Sequence, residues 1–93
     1  MKHYIIVKFK EGFDYLKQLD RISKLFDESL KIEGVDRIKI YTSNCDLSNR
    51  YDLMIRMELT KKALTDFDAS WIHQKWKTDY SEYIEDKTIF DCD

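Results

Sequence analysis

The chain has 93 residues, 37% of them charged, and its 16 Lys and Arg against 18 Asp and Glu leave a formal net charge of −2. That length makes one domain with a single core, 1–93, able to bury about 60 to 70% of the surface its unfolded chain exposes. Acids and bases interleave along the chain, so no field of one sign is expected, which argues against a nucleic-acid partner; no apolar run approaches the roughly 20 residues that span a bilayer, so a membrane role is not expected and a cytoplasmic one is.

Lys2 to Lys10 is rich in β-branched and aromatic residues and is closed by Glu11-Gly12, a strand followed by a turn. Its alternation sets His3, Ile5, Val7 and Phe9 on one side and Tyr4, Ile6, Lys8 and Lys10 on the other. Both sides are apolar in the first half, which predicts an interior strand with neighbours on both edges. A histidine heading such a strand, among residues that do not hydrogen-bond, is the first place to look for chemistry.

From Phe13 to Ile32 the residues Leu16, Leu19, Ile22, Phe26 and Leu30 recur at spacings of three and four, which predicts one amphipathic helix with Gly34 as its left-handed stop. Val35 to Thr42 switches to period two and reads as a half-buried strand. Ser43 to Asn49 is a polar run suited to a surface loop. Tyr51 to Leu59 has the cleanest alternation in the chain and is the next strand. Thr60 is placed to cap a short helix through Phe67, and Ser70 a second helix running to about Tyr83. Lys87 to Cys92 reads as a short last strand. Cys45 and Cys92 belong to no CxxC or Cys/His cluster and are read as two reduced thiols.

The order β-α-β-β-α-β is the ferredoxin-like arrangement, an α+β fold with a four-stranded antiparallel sheet covered by helices on one face. The other face would present Tyr4, Ile6, Lys8, Arg37, Lys39, Tyr41, Met54, Arg56 and Phe90, too apolar at its centre for water. A second copy packed sheet to sheet, a homodimer, is the expected partner.

The opening Lys2–Lys10, Ile32-Glu33-Gly34-Val35, Tyr51-Asp52-Leu53, His73, and Lys87-Thr88-Ile89-Phe90-Asp91 together resemble, in order and over nearly the whole chain, the stress-responsive A/B barrel domain family. The resemblance implies a dimeric α+β barrel with facing sheets. It also implies, from a plant branch of polyketide cyclases, a pocket between sheet and helices served by two histidines and two tyrosines. His3 and His73 fall on the histidine positions, whereas Leu25 and Phe67 stand where the tyrosines are expected and Ser70-Trp71 replaces a His-Pro pair. These departures argue against the same cyclisation.

Three functions follow as expectations. The first is binding of a small apolar or aromatic ligand, with Trp71, Trp76, Tyr80, Phe67 and Leu25 as candidate walls. The second is proton transfer or cyclisation, with His73 as general base and His3 orienting the substrate. The third, implied by related dimeric barrels, is haem binding or cofactor-free oxidation near His73. No sequence motif calls for a cofactor, and two histidines without a placed carboxylate do not make a metal site.

Overall fold

The computed structural model describes residues 1–93. Lys2–Phe9 forms strand β1, with His3, Ile5, Val7 and Phe9 buried and the alternate residues half-buried, as its two-sided apolar pattern requires. Leu19–Asp27 forms helix α1, Val35–Thr42 strand β2, Leu53–Leu59 strand β3, Lys61–Asp68 helix α2, Trp71–Tyr80 helix α3 and Ile84–Cys92 strand β4. The sheet order is β2-β3-β1-β4 with every pair antiparallel, so β1 does lie inside the sheet. The expected ferredoxin-like α+β arrangement is the one found, with two helices, α2 and α3, separated at Ala69 and Ser70 as expected; α3 gives way at Tyr80 to a 3-10 turn, Ser81–Tyr83, short of the expected end.

The single helix expected from Phe13 to Ile32 is not formed. Tyr15–Gln18 and Glu28–Lys31 are 3-10 turns, and only Leu19–Asp27 between them is α-helical. A 3-10 turn has about three residues per turn instead of about 3.6, so the apolar stripe slips in phase at each end. Ile22 and Phe26 are fully buried, but Leu16 and Leu30, expected beside them, are 58% and 46% exposed; Leu25 and Ser29 point inward in their place.

Gly34 therefore does not stop an α-helix. It has φ of +94° in the turn Ile32–Val35, closed by the Val35 N–H donating to the Ile32 carbonyl at 3.1 Å, and it steers the chain into β2. The last strand begins at Ile84 rather than Lys87. It is an edge strand bonded to β1 alone and exposed along most of its length, so its first residues, Ile84-Glu85-Asp86, carry no alternation to read.

Both helix caps occur as expected: the Thr60 hydroxyl accepts from the Ala63 N–H at 3.1 Å, and the Ser70 hydroxyl from the His73 N–H at 3.4 Å. The core lies between the helices and the buried face of β1 and β3. At its centre Phe26 packs edge-on against Trp76 with ring centroids 5.2 Å apart, and Phe67 lies 5.9 Å from Phe26 on the other side. Such a contiguous aromatic cluster leaves little freedom in how the helices sit on the sheet.

The opposite face of the sheet has no helix on it. Tyr4, Ile6, Tyr41 and Met54 are half-buried there and Phe90 is 57% exposed. Strand register places Lys2, Lys8, Arg37, Lys39 and Arg56 on the same face against the carboxylates of Glu58 and Asp86. The expectation that no surface carries an excess of one sign is thus corrected: charges interleaved in sequence are sorted by the pleat, and cations collect on this side.

Candidate functional site

His3 and His73 reach one cavity from opposite walls. The cavity, of about 460 Å³, has His3 and Ile5 of β1 and Lys87, Ile89 and Asp91 of β4 on its sheet side. Leu64 and Asp68 of α2 with His73 and Trp76 of α3 form the helix side. The sheet wall follows from register: Ile89 stands opposite Ile5 and Asp91 opposite His3, so alternate residues of the two strands share the face turned to the helices. The helix wall follows from the caps, which start α2 and α3 so that Leu64 and Asp68, then His73 and Trp76, recur toward the gap.

His3 is 6% exposed, and its Nδ1 lies 2.5 Å from Oδ1 of Asp91. A carboxylate only accepts, so Nδ1 carries the proton and Nε2 is left as the free nitrogen of the neutral ring. His73 is held the same way, its Nδ1 donating to the Asp68 carbonyl at 3.1 Å, and its ring lies 5.3 Å from that of Phe67. The two imidazoles thus have the same tautomer for the same reason: an oxygen acceptor at Nδ1. Chemically the pair offers two nitrogens able to take or return a proton beside a mostly apolar wall of Ile5, Leu64, Trp76 and Ile89.

The other candidate walls divide. Trp76 lines the histidine cavity, and Phe67 is fully buried in the core beside it. Leu25, Trp71 and Tyr80 lie elsewhere, on a cleft of about 760 Å³ between α1 and α3. Burial pushes the Tyr80 hydroxyl above its usual range, an effect Arg21 partly offsets, and the hydroxyl donates a long hydrogen bond of 3.5 Å to Gln18 Oε1. Asp91 and Lys87 enter the sequence reading only as the ends of the closing motif and are not among the expected site residues. The available signal was the alternation Lys87, Ile89, Asp91, which puts a carboxylate and an ammonium on the side of the strand that carries Ile89.

No protein-family model matches the chain, and no curated protein matches it. Its fold is that of several solved structures. A dimeric ferredoxin-like protein of unknown function from Thermobifida fusca superposes with a TM-score of 0.78 at 9% identity, over 96% of this chain and 85% of that one. A dabb family protein with a ferredoxin-like fold from Mesorhizobium loti gives 0.73 at 15% identity, over 99% and 93%. The hydroxynitrile lyase of Passiflora edulis gives 0.74 at 14% identity, over 96% and 87%. These likenesses are consistent with the stress-responsive A/B barrel resemblance and, at such identities, establish the fold.

Proposed function

We propose that the protein is a homodimer of the stress-responsive A/B barrel type, joined through the open sheet face, whose histidine cavity binds a small apolar or aromatic molecule and moves a proton on it. The observation that carries this reading is that two histidines, each with Nδ1 tied to an oxygen, line one cavity. A proton taken up at Nε2 of His3 leaves a positive ring against the Asp91 carboxylate, whereas His73 faces only a carbonyl oxygen. His3 is therefore the base, the role the sequence suggests for His73, and the proton it takes on Nε2 exchanges with water and is handed back from the same nitrogen; His73, whose own N–H is held by the Asp68 carbonyl, lines the site. The size of the cavity suits a substrate of one or two rings.

In this reading His3 removes a hydrogen from a carbon beside a carbonyl. The C–H electron pair passes into the new carbon–carbon double bond, the carbonyl oxygen takes the negative charge, and a proton returned to carbon restores the ketone. Acetophenone in deuterium oxide tests it, because loss of its methyl hydrogens is slow without a catalyst and is followed directly by proton NMR. The protein accelerates that exchange, and His3→Gln reduces it by about 10²- to 10⁴-fold, the usual weight of a positioned base. Exchange at the buffer rate with the wild-type protein, or unchanged exchange in His3→Gln, overturns the reading.

Support for the assembly comes from the open face itself. Its centre of Tyr4, Ile6, Tyr41, Met54 and Phe90 is apolar, and beside it Arg56 Nε is shielded from water without a hydrogen-bond partner in the single chain, while Glu58 Oε2 has only loose ion pairs with Arg37 at 3.4 Å and Arg56 at 3.9 Å. An orphaned N–H beside an unpaired apolar surface is what a second copy would satisfy. The dimeric protein from Thermobifida fusca has the same fold.

A further inference from the structure

The cleft between α1 and α3 lies apart from the histidine cavity, and none of its lining residues is shared with it. We infer that this cleft is a second ligand site, for a planar aromatic carboxylate, with Trp71 as the stacking surface and Arg21 and Lys24 as the readers of the anion.

Three observations converge on that chemistry. Trp71 is 59% exposed, an unusual setting for an indole at the start of a helix, and it stands at the edge of a cleft of about 760 Å³. A large aromatic surface left open beside a concavity is what a flat ligand covers. On the far side Phe13 and Tyr83 are stacked with centroids 4.3 Å apart, which supplies a second aromatic wall. Arg21 and Lys24, one turn apart on α1, line the same cleft, and no carboxylate lies within salt-bridge distance of either.

The charge balance decides the sign of the ligand. Five charged residues line the cleft, and Lys75 and Asp79 cancel as a pair at 3.0 Å. Arg21 and Lys24 are left against Glu82 alone, so the cleft is positive in a chain whose net charge is −2. A guanidinium offers a planar fork that matches a carboxylate, and two neighbouring cations favour an anion over a neutral ring. The histidine cavity, by contrast, has two carboxylates and one lysine on its walls, which makes it the poorer place for an anion.

The chain's two tryptophans divide between the two sites, Trp71 in the cleft and Trp76 in the histidine cavity, so their indole N–H resonances report each site separately. Titration of the ¹⁵N-labelled protein with 2-naphthoate moves the Trp71 signal in a saturable way, and neutral 2-naphthamide binds about tenfold more weakly, the loss of one charge-assisted hydrogen bond. Arg21→Gln with Lys24→Gln removes the preference for the acid while the amide still binds; both side chains are exposed, and an unchanged amide spectrum verifies the fold. No Trp71 shift at millimolar naphthoate, equal binding of acid and amide, or a shift confined to Trp76 overturns the inference. The acetophenone result is independent of it, since that reaction belongs to the other cavity.

Discussion

Gly34 and Thr60 are in contact across the junction of β2 and α2: the Thr60 N–H donates to the Gly34 carbonyl at 3.0 Å, and a Cβ at Gly34 would lie 2.6 Å from Thr60 Oγ1. The same Oγ1 caps α2, so it has little freedom to withdraw. Gly34→Ala therefore meets two penalties, a positive φ and a contact that breaks a cap, and is expected to cost about 2 kcal/mol or more, lowering Tm by roughly 10 °C. Gly12 is the control. It has a φ of +89°, and a methyl group there would meet nothing within 4 Å, so Gly12→Ala carries backbone strain alone and costs about 1 kcal/mol. Equal losses in thermal melts of the two variants would refute the role of the Thr60 contact.

The strands were readable because period two survives in β1 and β3, where one face is buried and the other half-buried along the whole length. The ends of the first helix were not, because Leu16 and Leu30 satisfy a 3.6-residue spacing that the backbone abandons on both sides of Leu19–Asp27. His3 and His73 were singled out from their places at a strand head and a helix start, and the structure puts both on one cavity. Asp91 was invisible for a different reason. Its partnership with His3 depends on the register of two strands at opposite ends of the chain, and no local spacing encodes that. The separation of Trp71 and Tyr80 from Trp76 also depends on packing: residues of α3 turn to different sides, and only the seating of α1 with Leu25 beside it decides which side is a cleft.

The tautomer of His3 is fixed by Asp91, and this is open to direct measurement. In the wild-type protein, long-range ¹H–¹⁵N correlations of the neutral His3 ring show the hydrogen on Nδ1. Asp91→Asn replaces an obligate acceptor with an amide that also presents donors, so the fixed pattern is lost and a mixture of the two neutral forms appears. If His3 carries its hydrogen on Nε2 in the wild-type protein, the Asp91 partnership fails and the base assignment fails with it.

Pairing two open faces brings apolar centres together and also brings Lys2, Lys8, Arg37, Lys39 and Arg56 of one copy toward the same cations of the other. Salt therefore strengthens the proposed dimer: between about 0.01 M and 0.15 M ionic strength the Debye length falls from roughly 30 to 8 Å, and the repulsion is screened while apolar burial remains. Sedimentation velocity across that range shows a rising dimer fraction. Ile6→Glu, placed in the half-buried centre of the face, gives a monomer at every salt concentration. A wild-type monomer throughout, or dissociation as salt is raised, contradicts assembly through this surface, and salt-weakened capture of single-stranded RNA by the same face would replace it.

Tyr80 sets a limit on alkaline stability. Burial holds its hydroxyl above the usual value of 10.0, with Arg21 and Lys75 offsetting part of the rise, and unfolding returns it to about that value. The folded chain thus keeps this proton more tightly than the unfolded chain. The contribution is whole below about pH 10 and is lost progressively as pH climbs from there through the folded value, because the unfolded state ionises first. Tyr15 is shifted in the same direction, by burial and then by the Asp52 carboxylate, so alkaline loss is shared between the two phenols. Tyr80→Phe removes one share. Urea unfolding of the two proteins gives a stability difference that is constant from neutrality to about pH 10 and then shifts in favour of the phenylalanine variant. A difference that stays constant above pH 10 would mean that Tyr80 ionises equally easily in both states, and that its burial beside Trp76 imposes no cost on the phenolate.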